Sequence, residues 1–252
     1  MRPLQTIRSS IWAGSVLLLS VAAYSQKSHE AAFSLTPPET LNFSSAKLEK
    51  ARQQMQSYVD ERKFPGLITL VARRGKIVHA EKYGMQDIEN NRPMQFNTIF
   101  RLASMTKPIT SVAVMRLCEQ GKLQLDDPVS KFIPVFAQAK VYGAAGKLAP
   151  LARPITIEDL LMHTSGLAMP GMGSSPVQEM YRQVELGKAA SLADFVSRVA
   201  ALPLAHQPGA SWTYGLSTDV LARVVEVTSG MPFDRFIAQK YFCATQNGGH
   251  GI

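Results

Sequence analysis

The sequence predicts an α/β fold in which an antiparallel strand pair is set among helices. Three observations carry that reading. Two β-rich runs, 66–72 and 77–83, flank the tight basic segment Arg73-Arg74-Gly75-Lys76, which is hairpin patterning. Apolar residues recur at helical spacing at Leu48, Met55 and Val59 and again from Ile109 to Leu117. Thr156 with Asp159, and Ser191 with Asp194, repeat the Ser/Thr-x-x-acid signature that opens helices. The chain has 252 residues, 46% hydrophobic and 18% charged, so it can bury a real core and is not a disordered chain.

In chain order, residues 1–25 read as a signal peptide. Arg2 and Arg8 form a basic start, Ile11 to Ala22 an apolar run, and Ala23-Tyr24-Ser25 a small-x-small cleavage site. The run is short for a membrane span, an uncleaved N-terminal anchor being the alternative. No cysteine follows it to take a lipid. Export to the periplasm or the medium of a bacterium is the expected location, with no stable membrane insertion after cleavage. Residues 26–45 are a polar linker, and Ser44 or Ser45 caps a helix carrying Leu48, Ala51, Met55 and Val59 that stops before Phe64-Pro65-Gly66. After the hairpin comes a helix bearing Ser104 and ending at Gly121, then a loop-rich stretch through Pro154 broken by Gly143, Gly146 and prolines. Helices are expected to His163, from Ser191 to Ala201, and from a cap at Ser217 or Thr218 to Ser229, closed by Gly230; Pro232 opens a last one.

The formal charge of +8 drops by two to +6 on cleavage, because residues 1–25 hold two arginines and no acid. Its densest cluster is the hairpin tip, with no aromatic residues interleaved, so no nucleic-acid partner is expected. Two cysteines, Cys118 and Cys243, make no disulfide framework; Cys118 falls in an apolar helix as a small hydrophobe. His29, His79, His163, His206 and His250 lie far apart without zinc-ligand spacing, so neither metal nor cofactor is expected.

The chemistry-bearing segment is Ser104-Met105-Thr106-Lys107. Residues three apart on a helix share a face, so the Lys107 amine can reach the Ser104 hydroxyl. A serine is a weak nucleophile until a neighbouring base takes its proton. If Ser104 opens the helix, the positive end of the helix dipole also favours an anion there. Taken alone, the four-residue pattern fits equally an N-cap serine followed by a surface lysine.

Two further segments follow in order, Leu160-Leu161-Met162-His163-Thr164-Ser165-Gly166-Leu167 and Pro208-Gly209-Ala210-Ser211-Trp212-Thr213-Tyr214-Gly215-Leu216-Ser217. With the Ser-x-x-Lys helix they make residues 46–242 resemble the serine β-lactamase and penicillin-binding-protein superfamily, in its class C β-lactamase, D-alanyl-D-alanine carboxypeptidase and family VIII esterase branch. The resemblance implies an antiparallel sheet flanked by helices beside an all-helical subdomain. It also implies an acyl-serine mechanism in which Ser104, Lys107 and Tyr214 are catalytic and either Lys107 or Tyr214 is the base. The substrate implied is a small ester, a β-lactam or a cell-wall peptide. A penicillin-acylated sensor or carboxypeptidase and a noncatalytic fragment are the alternatives. One position departs from the family: where its Tyr-x-Asn motif has asparagine, this chain has Leu216, which cannot hydrogen-bond an amide. Ester cleavage is therefore expected over β-lactam hydrolysis. His163 is expected to end a helix rather than to act chemically, and Met169-Pro170-Gly171-Met172-Gly173 to be a loop beside the cleft.

The superfamily's third active-site element, Lys-Thr-Gly, His-x-Gly or Trp-Gly-Gly, occurs nowhere in the 252 residues. In the family that strand supplies one oxyanion-hole N–H, the other being that of Ser104. Residues 243–252 show no apolar periodicity and read as an aberrant or flexible tail. The expectation is an incomplete sheet, with low stability and little turnover for the 252 residues by themselves.

Overall fold

The computed structural model describes residues 34–143 and 146–242. The expected signal peptide, residues 26–33 of the linker and the tail, with His29, Cys243 and His250, lie outside the described residues; the rest of the linker is held, with the Thr36 N–H donating to the Ile77 carbonyl at 2.8 Å and a 3-10 turn at Pro38–Leu41. The fold is α/β with an antiparallel sheet that does not close into a barrel, and the chain divides into two compact units, Met1–Phe100 and Arg101–Ile252.

In the first unit helix α1 (Ser45–Asp60) begins at Ser44, whose side chain accepts from the Lys47 N–H, and packs on the strand Lys76–Asp87. Strands β1 (Gly66–Arg73), β2 (Lys76–Asp87) and β3 (Arg92–Pro93) form one antiparallel sheet in the order β1-β2-β3. The β1–β2 turn has Arg74 at φ 51° and Gly75 at φ 73°, the paired positive φ of a two-residue hairpin that matches the strand twist. Register runs from Gly66 opposite Gly84 to Arg73 opposite Lys76, with an irregularity after Val71. Val78, His79, Tyr83 and Met94 are buried, and Thr69 hydrogen-bonds the His79 ring at 2.8 Å.

The second unit is built around helix α6 (Ser217–Ser229), whose Val220, Leu221, Val224 and Val225 are fully buried. Helices α2 (Thr106–Glu119), α3 (Ile157–Leu161), α5 (Leu192–Ala200) and α7 (Phe233–Ile237) pack on it, and α4 (Pro176–Gln183) adds Val177 and Tyr181 to the same core. The buried stripe of α2 is Thr110, Ala113, Val114 and Leu117, an i, i+3, i+4, i+7 set. Val112 and Met115, apolar residues within the 109–117 run, stand on the neighbouring stripe and are exposed.

The stretch expected to be loop-rich carries a short hairpin, β4 (Lys140–Tyr142) with β5 (Leu148–Pro150). Three-residue strands are too short for an alternation signal, and Gly143 and Gly146 fall in their connection, which is why they read as breakers. The capping box at Thr156 and Asp159 is formed in both directions. At Ser191 only half of it forms: the Asp194 carboxylate accepts from the Ala190 N–H instead. Neither Ser217 nor Thr218 caps α6. Leu216 occupies that place, and the Ser217 hydroxyl is turned inward to Ser165 at 2.9 Å, because a hydroxyl buried in the core needs a partner there.

Candidate active site

Ser104 does not lie in a regular α-helix. A short 3-10 turn, Ala103–Met105, precedes α2 and presents the serine, exposed, at the mouth of the helix. Ala103 has φ 47°, a conformation that costs a residue with a Cβ about 1 kcal/mol. A non-glycine residue held in this way directly before a nucleophile is the kind of local strain found at functional sites. Pro108 falls in the first turn of α2, where its missing N–H is no loss. Lys107 stands one turn after Ser104, and its Nζ donates to Ser104 Oγ at 3.2 Å.

Tyr214 arrives from 110 residues further along. Its Oη lies 2.6 Å from Ser104 Oγ, and the Lys107 Nζ is 4.9 Å from the centre of its ring. All three residues singled out in the sequence are thus brought together, within the second unit. The Lys107 amine, and then the Ser104 hydroxyl, hold the Tyr214 phenol below the ordinary tyrosine pKa.

What carries Tyr214 to that position is the segment 163–168. The Thr213 N–H donates to the His163 carbonyl at 2.9 Å and the Leu216 N–H to the Ala168 carbonyl at 3.3 Å, so the tyrosine is gripped on both flanks. Between them Gly215 passes so close to this segment that a Cβ there would overlap the Leu167 carbonyl oxygen. The buried Ser165–Ser217 pair ties the same segment to the start of α6, while Thr164 donates to Asp159 at 3.0 Å. Burial alone would raise the Asp159 pKa. Arg153, at 2.6 and 2.9 Å, and the surrounding donors outweigh it and hold the carboxyl below its usual range.

Beside the site stand His163, expected only to end a helix, and Trp212 and Asp219, to which the sequence assigns no role. The His163 ring is tilted against Tyr214 with centroids 5.0 Å apart, and the exposed Trp212 completes an aromatic group at 6.3 Å from each. Asp219 shares a cavity of about 310 Å³ with Lys107, Thr110 and Phe233, and its carboxyl is pushed up by burial, with Lys107 opposing. His163 and Trp212 fall in the two segments that carry the resemblance, but only the shared neighbourhood of Tyr214 shows what they touch, and no local pattern in the sequence marks Asp219. Leu216, at 6% exposure, is part of the buried core. Among the described residues no group of three His, Cys, Asp or Glu could hold a metal ion, and no helix is long and apolar enough to cross a membrane.

A nucleophile, an amine and a phenol in mutual contact on this scaffold define the serine β-lactamase-like class. The sequence matches the family described as Beta-lactamase over residues 51–243, and the chain belongs to that family. It is similar to Esterase EstB of Burkholderia gladioli, 39% identical over 191 residues that cover 71% of this chain and 46% of that protein. Similarity extends to Acyltransferase mokF of Monascus pilosus, 30% identical over 81% of this chain and 51% of that one. Among solved structures, EstCE1, titled a hydrolase with promiscuous acyltransferase activity, superposes with a TM-score of 0.66 at 31% identity, covering 79% of this chain and 51% of its own. The chain therefore spans about half the length of the relatives it matches.

Proposed function

We propose that this protein is a serine hydrolase that cleaves small carboxylic esters through an acyl-Ser104 intermediate. The observation that carries the reading is the 2.6 Å contact between Ser104 Oγ and Tyr214 Oη, with Lys107 Nζ at 3.2 Å from the same oxygen. Ser104 Oγ attacks the ester carbonyl carbon while its proton passes to Tyr214, the nearer group and the one whose proton affinity is held low. The tetrahedral oxyanion faces the Ser104 N–H. Its collapse breaks the carbonyl–oxygen bond to the leaving alkoxide, which takes a proton from the Tyr214–Lys107 pair. Water then attacks the acyl-serine by the same route and releases a carboxylic acid. An alcohol in place of that water would carry the acyl group away instead. Acyl transfer is therefore a second reading, favoured by the exposure of Ser104 and by the activities in the names of mokF and EstCE1.

Ester preference over β-lactams, over acylation as a penicillin sensor and over carboxypeptidase action is supported by Leu216, which offers an amide no hydrogen bond. The reading places the mature protein in the periplasm or outside the cell, with residues 1–25 removed, on the strength of Arg2, Arg8 and the apolar run after them. The decisive experiment is mass spectrometry after treatment with a fluorophosphonate or p-nitrophenyl acetate. The adduct is expected on the peptide containing Ser104, and Ser104→Ala should abolish both adduct and turnover. An adduct on another serine sinks the assignment.

A further inference from the structure

We infer that His163 is a positioning residue for the Tyr214 phenol, its ring forming a wall against the phenol ring that fixes where the phenol oxygen lies. This rests on the reading of Tyr214 as the base. His163 follows α3 at φ 58°, and its carbonyl takes the Thr213 N–H. A backbone turn of that shape does not call for histidine, since asparagine and glycine adopt positive φ at least as readily. Nor does its Nδ1 serve a hydrogen bond: that nitrogen is buried with no partner among the described residues. What the ring does contact is aromatic, with Tyr214 at 5.0 Å and 31° and Trp212 at 6.3 Å and 66°.

The Tyr214 ring thus has an imidazole at 5.0 Å and the Lys107 amine at 4.9 Å from its centre. The charged groups around this cluster are Lys107 from α2 and Asp219 from α6. Burial, and then Lys107, hold the His163 pKa below its ordinary value, so the wall is a neutral ring at neutral pH. A phenol that could swing away from this wall would lose both its contact with Ser104 and the nearness of the amine that favours its ionised form.

The test uses the full chain and replaces His163 in two ways. His163→Asn keeps a residue suited to positive φ and removes the ring; His163→Phe restores a ring without nitrogen. Ultraviolet titration of tyrosinate, taken as the difference from Tyr214→Phe, isolates the ionisation of Tyr214. His163→Asn should move that ionisation to higher pH, and kcat should fall ~10-fold or more with KM within ~3-fold. His163→Phe should recover most of both losses. An Asn variant with wild-type titration and kcat overturns the inference. So does a folded Phe variant as impaired as the Asn one, which would mean that a ring nitrogen is required. Should His163→Asn fail to fold, the Phe variant decides alone, and a displaced Tyr214 titration in it counts against the wall. A shifted titration in His163→Asn without any Ser104-dependent turnover would sink the esterase reading and leave the positioning role standing.

Discussion

Ser104, Lys107 and Tyr214 differ in how much of their chemistry comes from their own side chains. The serine and lysine are three residues apart and meet through local geometry alone. The phenol is ordinary until the amine and the hydroxyl are beside it, and its low proton affinity belongs to the contact. The proposed base role has a definite pH signature. The active, ionised form of Tyr214 grows as pH rises through its pKa, which lies below the ordinary tyrosine value of about 10. The kcat/KM for an ester should therefore climb with pH and level off at an inflection below that value. Tyr214→Phe should remove the inflection and lower the plateau ~100- to 10,000-fold, as a pH–rate profile of the two proteins will show.

At the scale of elements, α2, α6 and the segment 163–168 do the placing. Helix α2 packs on α6 through fully buried side chains such as Val114, Leu117, Leu221 and Val225, which sets the Ser104 end of α2 against the Tyr214 end of α6. The segment 163–168 then closes over the tyrosine by backbone hydrogen bonds on both sides. Gly215 is the tightest point of that closure, since a methyl group there meets the carbonyls of Leu167 and Ala168. Gly215→Ala should lower the thermal midpoint by several degrees, a cost of ~1 to 3 kcal/mol, and reduce kcat far more than KM, because backbone must shift and Tyr214 shifts with it. Unfolding followed by circular dichroism, together with ester kinetics, checks both. An unchanged kcat would mean that the phenol does not depend on this close approach.

At the scale of the whole molecule, membership of the β-lactamase family leaves the substrate open, since one nucleophile geometry serves esters, lactams and acyl transfer. The proposed preference for esters rests on the position two residues after the tyrosine. Leu216 lies in the core at 6% exposure and presents no amide partner to the site. Short-chain p-nitrophenyl esters should accordingly be hydrolysed with a kcat/KM ~100-fold or more above that for a cephalosporin, a hydrogen-bonding site being worth that much in discrimination. Spectrophotometric rates on both substrates measure it, and equal efficiency would overturn the ester preference.

The sequence by itself determined the features that depend on near neighbours. These are the β1–β2 hairpin from its basic turn, the capped starts of α1, α3 and α5, and the Ser104–Lys107 spacing. Each is a matter of a few bonds along the chain, where propensity and spacing carry the physics. Tyr214 could be matched only through resemblance to a family, because nothing in its own neighbourhood declares a base. The tertiary structure alone decided what lies across long separations: Tyr214 on Ser104 after 110 residues, the Ser165–Ser217 bond across 52, and the His163 ring on the phenol. It also decided which stripe of α2 is buried and that Ser217 faces inward instead of capping. Those outcomes follow from which surfaces the helices bury against one another, and packing of that kind is a property of the assembled core that no local window of sequence contains.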